Sequence, residues 1–233
     1  MSFFQAIFLG ILLLSKAEGR EGFHIKGPFD LDKDNANECL VLNSVDYSVL
    51  FIEIISPNKN DTIWSYEFEE GTIISDGAFV DLNNDDLVEL VLIPSIVSID
   101  DSKPWLYVFT GLSKGFDKQP LLYSGSPLSL KGIRPSSLTI TNEPSYPLGV
   151  FFASPIRKGI IFDIEVSGKK LQLINPKLLS SANHNNGYGV IQMSSFSSEN
   201  YEYITLISSK EDSLHAVVFD IKNNFNLLQS RTV

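Results

Sequence analysis

Two short acidic stretches carry the side chains best suited to chemistry, and in both the oxygen ligands alternate along the chain. In the first stretch Asp30, Asp32, Asp34 and Glu38 stand at positions 1, 3, 5 and 9. Calcium in proteins takes about six to eight hard oxygens, which carboxylates, amides and backbone carbonyls supply. Acidic residues at alternate positions of a tight loop can converge on one ion, and the backbone carbonyl of Ala36 can add an oxygen.

The second acidic stretch repeats this pattern 51 residues later, counted from its first aspartate. A single stretch of this kind is also typical of a solvated Asp/Asn turn that holds no ion. Two stretches in register favour calcium over that interpretation. The second ligand set is Asp81, Asn83, Asp85 and Glu89 at the same four positions, with the backbone carbonyl of Leu87.

An EF-hand does not explain either stretch. That motif needs a bidentate glutamate at position 12 and flanking helices. Position 12 is Val41 in the first stretch and Leu92 in the second, and each lies within a run typical of a β-strand. Because one short loop supplies all the ligands, we expect a structural ion with no open position for a substrate.

The elements around these loops are predicted to be strands. Beyond residue 18, short β-branched and aromatic runs alternate with clusters of Gly, Pro, Asn, Asp and Ser. We therefore predict an all-β fold, either a sandwich, a barrel or a propeller. Examples of such runs are 49–55, 90–93, 105–109, 149–152, 160–164, 203–207 and 216–219.

The repeat distance favours the propeller among these folds. About 50 residues is the size of one four-stranded propeller blade with long loops. Two weaker echoes, Thr139 to Glu143 and Ser194 to Glu202, continue the period without its acidic ligands. We predict a β-propeller domain over 18–233 with four blade-like repeats, at about 23–75, 76–132, 133–185 and 186–233.

The acidic loops resemble the FG-GAP (VCBS-type) repeat, which also occurs in the heads of integrin α-subunits and in bacterial surface proteins. The family pattern is roughly Asp-x-Asp/Asn-x-Asp-Gly-x-x-Asp/Glu followed by an aliphatic strand. Both ligand sets match it, and Asp76-Gly77 resembles the family's lead-in. Position 6, usually Gly, is Asn35 or Asp86, two residue types that tolerate the left-handed conformation.

The resemblance implies a calcium-stabilised module for adhesion or ligand recognition, with an extracellular protein or a glycan as its partner. A purely structural part of a surface assembly is a second interpretation. A propeller enzyme acting on extracellular polysaccharide is a third, although no cluster of catalytic residues is visible in the sequence. FG-GAP propellers have about seven blades, so the four repeats either close a small ring or belong to a larger propeller.

The N-terminus predicts export. An apolar run from Phe3 to Leu14 precedes Ser15 and Ala17, small residues that suit a cleavage site after Ala17. We interpret residues 1–17 as a signal peptide and expect a secreted, periplasmic or cell-surface protein without a membrane span after cleavage. A short buried strand or an uncleaved anchor is the alternative, because no Lys or Arg precedes the run.

Charge and cysteine content bear on the class of binding partner and on the source of the fold's rigidity. The formal net charge is −10, and a nucleic-acid binder would normally present a basic face. The acidic balance suits a protein that holds divalent cations. Cys39 is the only cysteine, so no disulfide forms within the chain and an exported fold needs another source of rigidity.

Overall fold

The structure is a computed structural model in which every described element is a β-strand or a connection between strands. The prediction of an all-β fold is confirmed. The proposed signal peptide and two of the proposed ligands, Asp32 and Asp34, lie outside the described residues. The structure describes residues 24–31, 35–45, 48–56, 59, 61–83, 85–96, 104–124, 135–141, 147–152, 158–167, 170–179, 189–198, 201–210, 213–223 and 226–232.

The described strands form four sheets of four strands each. The first sheet contains β1 (His24–Phe29), β2 (Glu38–Val45), β3 (Ser48–Ser56) and β4 (Asp61–Glu67); the second contains β5 (Thr72–Val80), β6 (Glu89–Ile96), β7 (Pro104–Phe109) and β8 (Leu121–Ser124). The third contains β9 (Pro135–Ile140), β10 (Leu148–Phe152), β11 (Lys158–Ser167) and β12 (Lys170–Leu179); the fourth contains β13 (Gly189–Ser198), β14 (Tyr201–Lys210), β15 (Ser213–Asp220) and β16 (Asn226–Thr232).

Each sheet is a meander in which strands that follow each other along the chain lie side by side. The pairing between neighbouring strands is antiparallel, as between β2 and β3 or between β14 and β15. β-branched and aromatic residues favour such strands because they pack well on a pleated surface. In β7, for example, Trp105, Leu106, Val108 and Phe109 are all buried.

Contacts within the chain group it into two compact units. The first unit comprises residues up to Ile73 together with Leu112–Lys118, and the second comprises Ile74–Gly111 and the residues from Gln119 onward. The first unit thus holds the first sheet and most of the β7–β8 connection. The second unit holds almost all of the second sheet and the whole third and fourth sheets.

The core of the second unit lies between consecutive sheets. Val91 and Ile93 of the second sheet pack with Leu148 and Phe162 of the third sheet, and all four are buried. A second apolar cluster joins the third and fourth sheets. It contains Ile161, Leu179, Met193, Ile204, Leu206 and Ile221. Face-to-face stacking of this kind removes both faces of the third sheet from water.

Aromatic packing dominates the described part of the first unit. Trp64 in β4 is buried, and the ring of Phe116 meets it edge-on with 5.4 Å between ring centroids. The ring of Tyr66 is stacked with the same indole, with 6.4 Å between ring centroids. Gly115 has a φ of +73°, and a Cβ atom there would come within 2.8 Å of Trp64 Cβ. The β7–β8 connection therefore needs glycine at this position to reach the indole.

Among the described residues, we find no helix whose length and hydropathy would let it cross a lipid bilayer.

Candidate functional site

Both acidic loops occupy the same place in their sheets. The first loop connects β1 to β2, and Glu38 is the first residue of β2. The second connects β5 to β6, and Glu89 is the first residue of β6. Position 9 of each loop is therefore fixed by a central strand of its sheet, where an aliphatic run anchors the backbone.

Two hydrogen bonds recur in the two loops. The amide of Leu31 donates to Oε2 of Glu38 at 2.6 Å, and the amide of Leu82 donates to Oε2 of Glu89 at 2.8 Å. Each bond joins position 2 to position 9 of its loop. The carboxylate at position 9 thereby links the start of each loop to the first residue of the strand that follows the loop.

The second recurring bond joins position 6 to position 1. The amide of Asn35 donates to Oδ2 of Asp30 at 3.0 Å, and the amide of Asp86 donates to Oδ2 of Asp81 at 3.1 Å. Asn35 and Asp86 have φ values of 64° and 66°. The expectation that both residues accept the left-handed conformation at position 6 is confirmed.

The second loop is described more completely than the first, and its polar side chains are linked to one another. The amide of Asp85 donates to Oδ1 of Asn83 at 3.0 Å and to Oδ1 of Asp81 at 3.3 Å. The amide of Leu87 donates to Oδ1 of Asp85 at 2.8 Å. Backbone amides thus hold the side-chain oxygens of positions 1, 3 and 5 toward the inside of the turn.

Glu89 is the most constrained acid of the second loop. Its side chain is only 4% exposed, and Oε1 is a buried oxygen without a hydrogen-bond partner among the described residues. Burial raises the pKa of this carboxyl above its ordinary value of 4.5. The amides of Leu82 and Gly111 lower the pKa in part, and the charges of Asp85 and Asp81 raise it further.

The position-9 carboxylate is also buried in the first loop. Glu38 is 1% exposed and follows Ala36, which is likewise buried. Burial of the neighbouring Cys39 raises the pKa of its thiol, and the negative charge of Glu38 raises it further. A thiol held in its protonated form is a poor nucleophile.

The donor set of the second loop fits a hard divalent cation. Asp81, Asn83, Asp85 and Glu89 offer oxygens, and the partnerless Oε1 of Glu89 needs a cation or a donor to offset its burial. The described residues contain no ready-made group of three or more His, Cys, Asp or Glu side chains arranged as metal ligands. Binding an ion would therefore require these side chains to turn from the loop amides toward a common centre.

The two weaker echoes of the acidic loop differ from it in the structure. Ser194 lies within β13 and Glu202 within β14, so the fourth sheet has a tight hairpin there rather than a long loop. In the third sheet, the amide of Thr141 donates to the carbonyl of Pro147 at 3.0 Å where β9 leads to β10. Neither connection gathers acidic side chains among the described residues.

Two contributors to the site region were not predicted from the sequence. Gly111 comes so close to the residue before Glu89 that a Cβ atom would lie 2.4 Å from the carbonyl oxygen of Val88. The carboxylate of Asp76 accepts a 3.0 Å hydrogen bond from the amide of Leu138 in the third sheet, 62 residues away. The sequence marks Asp76-Gly77 only as a family lead-in and carries no signal for the contact with Leu138, and nothing near Gly111 marks the first contact.

Comparison with known protein families gives no match to any family model, and comparison with curated proteins gives no matching relative.

Proposed function

We propose that the chain is an exported, calcium-stabilised β-propeller of the FG-GAP type that acts as a binding, adhesion or scaffold module. In this proposal the four meander sheets are propeller blades. The face-to-face stacking of the second, third and fourth sheets supports this arrangement. The described residues offer no cluster of catalytic side chains that would favour an enzyme.

One observation carries the calcium part of the proposal. The two loops repeat the same pair of hydrogen bonds and the same left-handed residue, at the same place between the first two strands of a sheet. A chance pair of Asp/Asn turns has no reason to share position-9 burial as well as local turn geometry. We expect these shared hydrogen bonds, left-handed residues and buried glutamates in a loop that binds an ion and is repeated along the chain.

The expected role of the ion is structural. Each loop brings several carboxylates together, and like charges at close range repel each other. A divalent cation would offset this repulsion and cross-link the loop to the start of the second strand. With Cys39 the only cysteine, calcium is a means of rigidity open to an exported chain of this composition.

The ligand of the module is proposed to be an extracellular protein or a glycan, recognised by loops at one end of the sheets. This part rests on the family resemblance and on the acidic charge balance rather than on a described pocket. The resemblance also supports secretion to the periplasm, the cell surface or the medium.

The calcium proposal is tested by thermal unfolding of the full chain in 1 mM calcium, 1 mM magnesium or EDTA. We expect calcium to raise the melting temperature above both other conditions. The same protein is then titrated with calcium by calorimetry, comparing Asp81→Ala with Glu165→Gln, an exposed glutamate far along the chain. Equal melting temperatures in calcium and EDTA, or equal titrations of the two variants, would contradict the proposal.

The binding role is tested separately with arrays of glycans and extracellular proteins, each probed with and without calcium. Saturable binding without chemical change of the ligand supports a module. Turnover of a polysaccharide would favour the enzyme instead.

A further inference from the structure

Leu82 stands at position 2 of the second acidic loop, between the first two proposed ligands, Asp81 and Asn83. Its side chain is half-buried and packs against the apolar cluster that the second and third sheets share. Its backbone amide donates the 2.8 Å hydrogen bond to Oε2 of Glu89. Leu82 therefore contacts the core through its side chain and a proposed ligand through its backbone.

The core holds the start of the second loop up to Leu82. Val80, the last residue of β5, packs against the same cluster. Beyond Leu82 the described residues of the turn are exposed, namely Asn83, Asp85 and Asp86. The loop is thus fixed at its start by two apolar side chains and at its end by Glu89, the buried first residue of β6.

The two carboxylate oxygens of Glu89 have different surroundings. Oε2 accepts the hydrogen bond from the Leu82 amide, whereas the buried Oε1 has no hydrogen-bond partner among the described residues. A buried oxygen of this kind needs a cation or a donor to offset its lost hydration. Because Oε2 is tied to the Leu82 amide, the direction of Oε1 depends on where the backbone at Leu82 lies.

We propose that Leu82 is a positioning residue of the second ion site, because the packing of its side chain in the core fixes the amide that orients Glu89. This inference rests on the proposed calcium function and adds a determinant of affinity that does not itself contact the ion. The first loop has a matching arrangement, since Leu31 at position 2 is half-buried and its amide donates to Glu38 at 2.6 Å. The repeat pattern leaves position 2 open, whereas this role requires an apolar residue there.

Calorimetric titration of the full chain with calcium tests the proposal by comparing Leu82→Ala with Leu121→Ala. Leu121 in β8 is the matched control, because it is also half-buried and packs against the same cluster but belongs to no acidic loop. Both variants should lower the midpoint of urea unfolding in EDTA, because each loses apolar packing. Only Leu82→Ala should weaken calcium binding, by about tenfold at one of the two loops, since losing support for a metal ligand costs about 10–100-fold in affinity.

Leu82→Met tests whether apolar packing is the property that matters at position 2. Methionine keeps an apolar side chain of similar volume, so calcium affinity should return to within about threefold of the wild type. Far-ultraviolet circular dichroism checks that each variant folds. If Leu82→Ala does not fold, the smaller truncations Leu82→Val and Leu121→Val give the same comparison, and only the first should weaken calcium binding.

Equal calcium affinities in Leu82→Ala and Leu121→Ala, or in the two valine variants, would overturn this inference while calcium binding by the wild type stands. So would a Leu82→Met chain that binds calcium as weakly as Leu82→Ala, since apolar contact at position 2 would then not hold the ligand. A wild type that binds no calcium would instead overturn the calcium proposal itself together with this inference. The titration of the wild type thus distinguishes the two failures.

Discussion

The amide of Leu82 donates a 2.8 Å hydrogen bond to Oε2 of Glu89, across seven residues of an acidic loop. This bond ties one carboxylate oxygen to the backbone and leaves the other buried at the base of the loop. Leu31 and Glu38 repeat the relationship in the first sheet. The position-9 glutamate therefore closes its loop, and under the calcium proposal we expect it to be the acid that responds most to the ion.

Replacing Glu89 with glutamine should have opposite effects in the presence and absence of calcium. In EDTA the neutral amide removes a buried charge, so the free energy of unfolding should stay within about 1 kcal/mol of the wild type or rise. In calcium the variant should lose about half of the ion-induced rise in melting temperature, because one of two loops lacks a ligand. Differential scanning calorimetry measures both effects.

Glu165→Gln is the control for that comparison, because Glu165 is an exposed glutamate in β11. This variant should change the melting temperature neither in calcium nor in EDTA by more than the scatter between replicate measurements. A Glu89→Gln chain that responds to calcium like the wild type would show that Glu89 is not a ligand.

The raised pKa of Glu89 predicts a pH dependence with a definite sign. In EDTA the folded chain holds a proton on Glu89 at a higher pH than the unfolded chain does. The stability of the wild type relative to Glu89→Gln should therefore rise as the pH falls from neutrality toward 4.5, the ordinary pKa of this carboxyl. Urea unfolding of both chains between pH 4.5 and 8 tests this, and a difference that is constant or falls toward acid would contradict it.

Substitution of Gly115 should destabilise the first unit more than substitution of Gly71. Both glycines have positive φ values, +73° and +80°. A Cβ atom at Gly71 meets nothing within 4 Å, so Gly71→Ala should cost about 1 kcal/mol of backbone strain. Gly115→Ala adds a clash with the Trp64 side chain and should cost about 2–4 kcal/mol.

Chemical denaturation measures both costs, and tryptophan fluorescence reports on the environment of Trp64. Equal losses of stability in the two variants would mean that the β7–β8 connection can move away from the indole without cost.

Gly111→Ala should disturb the second acidic loop from outside it. The added methyl group would lie 2.4 Å from the carbonyl oxygen of Val88, a backbone atom that cannot turn away. The start of β6 must shift, so we expect a loss of about 2–3 kcal/mol together with weaker calcium binding. Calorimetric titration and urea unfolding give the two quantities.

Gly77→Ala provides the comparison, because there the nearest atom is a terminal methyl carbon of Leu92, which can rotate. It should cost less stability and leave calcium binding nearly unchanged. A Gly111→Ala chain with wild-type calcium affinity would mean that the position of Glu89 tolerates movement of its strand.

Local pattern predicts the strands of this chain well. The run 105–109 corresponds to β7 (Pro104–Phe109) and the run 49–55 to β3 (Ser48–Ser56). Alternating β-branched and aromatic residues carry this information because they act through each residue's own preference for a pleated, half-buried surface. The boundaries proposed for the four repeats stay predictions, as do the calcium ligands and the export signal.

The local sequence pattern does not predict contacts between residues that lie far apart along the chain. Phe116 meets Trp64 across 52 residues, and Asp76 accepts an amide hydrogen bond from Leu138 across 62. Such pairs depend on which distant segments of the chain come together, which single-residue preferences do not encode. The left-handed residues Asn35 and Asp86 were predictable because the turn itself restricts which residue types fit.

The meander order of the strands has a consequence for how the chain acquires its structure. Each sheet takes its four strands from one continuous stretch, so every hairpin closes a short loop at low entropic cost. Contacts of short sequence separation form quickly, and a growing polypeptide can complete one sheet before the next has been synthesised. Nascent chains shortened at residue 124, which include the Leu112–Lys118 part of the first unit, or at residue 179 should therefore show stepwise gains in protease resistance.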